Sequence, residues 1–296
     1  MEISIALVQR LRSKTGAGIL DCKKALEATN GDIEEAVDWL RKKGLSAAAK
    51  KADRIAAEGL VGVAINGNIG TIVEVNAETD FVSKNEKFVK FVKELTNMSF
   101  GHNEVQTLID AEFDKGETVE SFLNTLISTI GENMAIRRIA SLAEPFGGVA
   151  AYVHNSVDDT LGKIGVLVGI KGDNSKVDTF GRQVAMHIAA SAPLALDRTK
   201  LDPAVIEHER QVQMDIARNS GKPEEIIEKM VEGRIRKYYE EVCLLDQAYA
   251  LNPDITVQSA ADAEGVEITG FVRFALGEGI EKKQENFADE VAKAIK

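Results

Sequence analysis

The spacing of apolar positions changes period several times along the chain, and each change marks an element. From Gly59 to Val75 hydrophobic residues alternate, predicting two strands around an Asn66-Gly67-Asn68 turn, because those residues tolerate positive φ. In the second strand Thr71, Val73 and Val75 alternate with Ile72 and Glu74. It runs into Asn76-Ala77-Glu78-Thr79-Asp80-Phe81-Val82, where the pattern ends on an acid and an aromatic instead of a turn residue. Downstream, Phe88, Phe91, Val92 and Leu95 fall at i, i+3, i+4 and i+7, a helix introduced by Ser83. Asp80 and Phe81 therefore occupy a strand-to-helix corner. One reading buries Phe81 in its own core and uses Asp80 as the helix cap; the other makes the corner a tip that inserts into another molecule.

The same pattern returns between Gly148 and Lys171. Val149, Ala151 and Val153 lead through a polar connection, Asn155 to Asp159, to Ile164, Val166, Val168 and Ile170. A helix carrying Val177, Phe180, Val184 and Ile188 follows, as the Phe88 helix follows the first hairpin. Two related α+β subdomains with antiparallel sheets account for this economically.

Before the repeat stand three short helices, punctuated by Gly16 and Gly18, by Asn30-Gly31 and by Gly44. The third opens on a capping-box-like Asp32 and Glu35, and Ile33, Ala36, Val37 and Leu40 form its stripe. Trp39 lies on the flank of that stripe, where packing against a neighbouring element is the expectation. Within the second subdomain, a polar helix from Pro203 to Asn219 carries Val205, Val212 and Ile216 on one side. Ser220-Gly221-Lys222-Pro223 stops it, and Pro223 starts a partner helix with Ile227, Met230, Val231, Ile235 and Tyr238. Thin stripes with charged flanks suit a projecting antiparallel coiled coil. The chain returns to the sheet at Ile268 to Phe274, and a final helix is predicted from Gln284 to Ile295. The expected division is 1–54 for the helical module and linker, 55–144 for the first core unit, and 145–182 with 232–276 for the second. The inserted hairpin takes 183–231 and the C-terminal module 277–296.

Composition narrows the functions available. Residues 1–54 carry 11 Lys and Arg against 8 Asp and Glu, while the rest carries 25 against 39, giving the overall charge of −11. An acidic body repels phosphate backbones, so nucleic-acid binding is disfavoured and a protein partner is expected. The basic run Arg41, Lys42, Lys43, Lys50, Lys51 and Arg54 leaves open an adaptor for ribosome or RNA, whose binding would weaken steeply with salt. Cys22 and Cys243 lie far apart with no Cys-x-x-Cys spacing, and the histidines at 102, 154, 187 and 208 are isolated, so neither a metal site nor a disulfide framework is expected. No Gly-x-x-x-x-Gly-Lys-Ser/Thr is present, and Gly16-Ala17-Gly18 follows a helix instead of a strand. Direct nucleotide binding and a cofactor are therefore not expected. No motif selects a carboxylate pair for acid/base work, although a hydrolase with an unrecognised carboxylate site stays a formal alternative. The start, Met1-Glu2-Ile3-Ser4-Ile5, lacks a basic n-region and no long apolar run occurs, so cytoplasmic residence without membrane contact is expected.

Several separate stretches, in order, resemble the bacterial translation elongation factor Ts family. They are Arg12-Ser13-Lys14-Thr15-Gly16-Ala17-Gly18-Ile19-Leu20-Asp21-Cys22-Lys23-Lys24-Ala25-Leu26 with Asn30-Gly31-Asp32-Ile33, Asn76 to Val82, Ile130-Gly131-Glu132-Asn133, Gly221-Lys222-Pro223, Lys229-Met230-Val231-Glu232-Gly233-Arg234 and Gly277-Glu278-Gly279-Ile280-Glu281-Lys282. The resemblance implies a nonenzymatic guanine-nucleotide exchange factor whose partner is elongation factor Tu, in both its GDP-bound and nucleotide-free forms. It implies a first module similar to a ubiquitin-associated fold, and leaves self-association within the complex open. Thr79, Asp80, Phe81 and Val82 would form a wedge that dislodges magnesium from the partner. Lys23, Ile130, Gly131 and His154 would contribute to partner binding. Ala77-Glu78 departs from the more usual cysteine or asparagine with glutamine, and Val157-Asp158-Asp159-Thr160 lengthens the second hairpin's connection.

Overall fold

The structure is a computed structural model that describes residues 3–15, 17–114, 116–219 and 223–281; the helix expected at Gln284 to Ile295 lies outside them. Three helices open it: α1 (Ile5–Thr15), α2 (Ile19–Ala28) and α3 (Ile33–Ala49). They close on Val8, Leu11, Cys22, Ala25, Leu26 and Ala36, with Trp39 packed half-buried beside them and Lys43 over its ring. Asp32 caps α3 by accepting from the Glu35 N–H at 2.9 Å, as the capping-box pattern predicts. Gly44 does not end that helix: α3 continues five residues further, and its second half packs on α6 (Val119–Ile130).

The first hairpin is β1 (Glu58–Asn66) and β2 (Ile69–Ala77), paired from Glu58↔Ala77 to Asn66↔Ile69. After it come α4 (Glu86–Met98), α5 (Val105–Ile109), the short pair β3 (Glu112–Asp114) and β4 (Glu117–Thr118), α6, and β5 (Met134–Ala143). The second hairpin is β6 (Gly147–His154) and β8 (Ile164–Lys171), with β7 (Leu161–Gly162) inside its connection. A single π-turn over Val177–Gly181 feeds α7 (Arg182–Ser191), which lies on β6 and β8. The helices α8 (Pro203–Arg218) and α9 (Glu224–Val242) follow, then β9 (Ala248–Tyr249), β10 (Asn252–Thr256), α10 (Val257–Glu264) and β11 (Glu267–Ala275).

Two antiparallel sheets carry the architecture, one ordered β5-β2-β1-β7 and the other β11-β8-β6. Their inner faces meet through Val61, Val63 and Ile72 on one side and Val149, Leu167 and Phe274 on the other. A Cβ at Gly165 would lie 2.7 Å from Val61, so this glycine sets how closely the sheets approach. The outer face of the first sheet, Leu60, Val73, Val75 and Ile136, is covered by α4 and α6 through Phe88, Phe91, Leu95 and Leu126. Val166, Val168 and Ile170 of the second are covered by α7 and α10. Each sheet is thus buried on both faces in an α+β molecule of layered helix, sheet, sheet and helix.

Two expectations about the helix pair change. It spans 203–242 instead of 183–231, because α7 belongs to the second sheet and α9 runs on to Val242. Its seam on α8 uses Ile206, Met214 and Ala217 against Ile227, Val231 and Ile235. Val212 and Ile216, expected on the packed side, are exposed. The two stripes lie one or two residues apart on the helix, and with so few apolar residues the partner's position decides between them.

Candidate functional site

The end of β2 pairs with the beginning of β5, Ala77 opposite Met134, so residues 78–81 and 131–133 leave the same end of the sheet side by side. Gly131 caps α6 in the left-handed region, φ 92°, and turns the chain from helix into strand. That turn delivers Glu132 to the neighbouring loop. Its carboxylate accepts the Thr79 backbone N–H at 2.9 Å and the Thr79 hydroxyl at 2.7 Å. Glu78 reaches back the other way, its carboxylate accepting the Asn133 N–H and lying 3.4 Å from Arg54. Asn133 in turn donates to the carbonyls of Arg54, at 2.8 Å, and Ala52, at 3.3 Å. Three segments remote in sequence are thereby tied at one corner.

On the far side of the tip the chain is anchored by apolar burial. Val82 is 2% exposed within the core under α4, and buried Ser83 donates its hydroxyl to the Asp80 carbonyl at 2.6 Å. The Ser83 and Lys84 amides donate to the Asp80 and Phe81 carbonyls, forming a single 3₁₀ turn over Val82–Lys84. Between the anchors stand Asp80, exposed, and Phe81, 77% exposed. The reading that buries Phe81 and makes Asp80 the cap is overturned. Asn85 caps α4, accepting from the Lys87 and Phe88 amides at 3.0 and 3.4 Å, and the helix begins at Glu86 instead of at Ser83.

Of the residues expected to act together, Thr79, Asp80 and Phe81 form the projecting turn, whereas Val82 points into the core. Ile130 is partly buried against that core, and Gly131 is exposed with open space where a Cβ would stand. Lys23 stands exposed on α2, 3.8 Å from Glu27. His154 ends β6 with its Nδ1 3.1 Å from the Tyr152 hydroxyl. Glu78, Glu132 and Asn133 carry no signal of this role in the sequence beyond lying in stretches that resemble the family. Their separation of 53 to 55 residues from their partners carries no periodic signal.

The corner displays groups and holds them; its chemistry is contact. Among the described residues no three of His, Cys, Asp and Glu are grouped to hold a metal ion, and no helix is long and apolar enough to cross a membrane. The buried His187 is a packing histidine: burial lowers its pKa, its ring lies 2.8 Å from Gln247, and its Nδ1 accepts the Ala250 N–H.

The family model described as elongation factor TS matches residues 78–278. An elongation factor Ts from Dinoroseobacter shibae is 54% identical over 295 residues, covering 100% of this chain and 99% of the relative. One from Rhodospirillum centenum is 54% identical over 301 residues, covering 98% of each. A third, from Parvibaculum lavamentivorans, is 52% identical over 312 residues, covering 100% of the chain and 99% of the relative. With the family model covering two thirds of the chain and these relatives aligned from end to end, the chain belongs to the elongation factor Ts family.

Proposed function

We infer that this protein is a cytoplasmic guanine-nucleotide exchange factor that binds elongation factor Tu in its GDP form, displaces magnesium and promotes GDP release during translation elongation. It is not an enzyme, since nothing is consumed or covalently changed. Exchange works by linkage: binding that lowers the partner's affinity for GDP by some factor is itself weakened by GDP by the same factor. The factor acts only through its preference for the partner state in which the magnesium site is distorted.

The observation that carries this reading is an aromatic side chain, 77% exposed, on a turn whose two ends are fixed. Holding Phe81 out in this way sacrifices burial within the chain and favours burial in a partner. Phe81 supplies the apolar anchor, while Asp80 competes for polar groups around the metal. Thr79 and Val82 are the two feet of the wedge. Gly131 and Ile130 flank it, and Lys23 and His154 extend the contact to the first module and the second sheet. The module at 1–54 acts as a ubiquitin-associated-like grip, 55–144 and 145–202 with 243–276 act as the duplicated core, and α8 and α9, inserted in the second core unit, form a coiled-coil arm.

Release of a fluorescent GDP analogue from purified elongation factor Tu tests the reading. Wild type accelerates release, and Phe81→Ala, melting near wild type, loses about 30-fold in kcat/KM, corresponding to about 2 kcal/mol for an interface anchor. A well-folded Phe81→Ala with full activity sinks the wedge.

A further inference from the structure

Burial explains one foot of the tip, and the other foot needs a different explanation. Val82 and Ser83 are in the core, but Thr79 is only half-buried and leaves the sheet after Ala77, the last residue of β2 paired on both sides. Between Ala77 and Val82 four residues cross without a strand partner. The only hydrogen bonds described for the Thr79 amide and hydroxyl both end on Glu132. A carboxylate accepting two donors from one residue fixes that residue's backbone and χ1 together. Glu132 is fixed in turn: Gly131 before it is a left-handed cap, and Asn133 after it is bound by Glu78 and by the carbonyls of Ala52 and Arg54.

We propose that Glu132 is a positioning residue for the exchange tip: through Thr79 it holds Asp80 and Phe81 in the projecting turn before the partner arrives. The proposal rests on the wedge reading above and adds a residue that touches neither nucleotide nor metal. Pre-organisation of this kind acts on the competent fraction of the free protein. If the tip samples other conformations, apparent affinity falls by the fraction still competent, while the complex, once formed, turns over as before.

The chemistry distinguishes holding from charge. In Glu132→Gln the amide oxygen still accepts the Thr79 N–H, and the amide NH₂ donates to a hydroxyl that has rotated to accept, so both contacts survive without the charge. Glu132→Asp keeps the charge but is one methylene too short to reach both donors. Glu132→Ala removes both contacts.

Two measurements on the full-length protein test this. Amide hydrogen exchange of Thr79, read by NMR on the free protein, should quicken about tenfold or more in Glu132→Ala and Glu132→Asp and stay near wild type in Glu132→Gln. Stimulated GDP release should show KM raised about tenfold with kcat within about twofold for the first two variants, and near-wild-type values for Gln. If Glu132→Ala fails to fold, the Asp and Gln pair decides the question alone. Unchanged Thr79 protection in a folded Ala or Asp variant overturns the proposal. So does a Gln variant as impaired as Ala, which would mean the negative charge itself acts on the partner. Failure of the wedge reading is recognised separately: Phe81→Ala would then exchange normally, while the protection of Thr79 would still answer for Glu132.

Discussion

Phe81 and Val82 are adjacent, both apolar, and oppositely used: one is 77% exposed and the other 2%. A one-residue step on a tight turn sends neighbouring side chains to opposite sides, so Val82 fastens the turn that Phe81 crowns. Their substitutions should therefore separate. Val82→Ala removes two buried methyl groups and is expected to cost about 2 kcal/mol of stability, counting transfer and residual cavity, while saturating concentrations of the folded variant retain wild-type kcat. Thermal melting beside the release assay checks it; a Val82→Ala variant that melts like wild type but exchanges poorly would place Val82 in the contact and not beneath it. The tip was legible in the sequence because an acid and an aromatic stand where a turn residue belongs. Its fastening was not. Glu132 lies 53 residues from Thr79, and a half-exposed glutamate in a connection looks like any other until the two loops are seen to leave one sheet edge together.

Elements with strong period and local signals were read correctly: both hairpins, the Phe88 helix, the cap at Asp32 and the returning strand β11. Elements fixed by remote partners escaped. β5 pairs with β2 across the excursion from residue 78 to residue 133, and β7 is a two-residue strand that pairs with β1. In α8 the seam fell on Ile206, Met214 and Ala217 because α9 happens to face them. Glycine was misread at Gly44, where α3 runs straight through. There a Cβ would find only ordinary contacts, 3.8 Å from the Asn124 carbonyl and from Ser128. Gly233 is the cleaner case, an exposed position in the interior of α9 with open space where a Cβ would stand. Because the native helix tolerates alanine there and the unfolded chain loses freedom, Gly233→Ala should stabilise α9 by about 0.8–1 kcal/mol. Slower amide exchange across 224–242 would show it. Unchanged or faster exchange would mean that the helix bends or flexes at Gly233 in a way alanine resists.

At the scale of the molecule, one buried carboxylate stands at the centre of the contacts that join the first sheet to residues 275–278, beside direct bonds from Arg137 and Arg138 to the Glu278 and Ala275 carbonyls. Glu74, in the middle of β2 and fully buried, receives the Gly277 N–H at 2.9 Å from 203 residues away. It also receives Arg137 at 3.0 Å and Arg138 at 2.6 Å, and Arg138 lies 4.1 Å over the Phe274 ring. Burial pushes the Glu74 pKa up, but the hydrogen bonds from Gly277, Arg137, Arg138 and Asn76 outweigh it and leave the carboxyl below its usual value. A folded pKa below the unfolded one, about 4.3, means that this group's contribution is complete above the unfolded pKa and is lost as pH falls through the folded one. Glu74→Gln keeps the shape but leaves two guanidiniums, each less than a third exposed, without their shared counter-charge. The expected loss at neutral pH is about 3 kcal/mol, at the lower end of the range for breaking a buried pair because both arginines reach water. The variant's urea stability should also fall less steeply below about pH 4.3, since it has one fewer proton to take up on unfolding. If wild type and Glu74→Gln lose stability in parallel through that window, Glu74 is not the group that titrates, and the tie between the first sheet and residues 275–278 rests on its other hydrogen bonds, from Arg138 to the Ala275 carbonyl and from Arg137 to the Glu278 carbonyl.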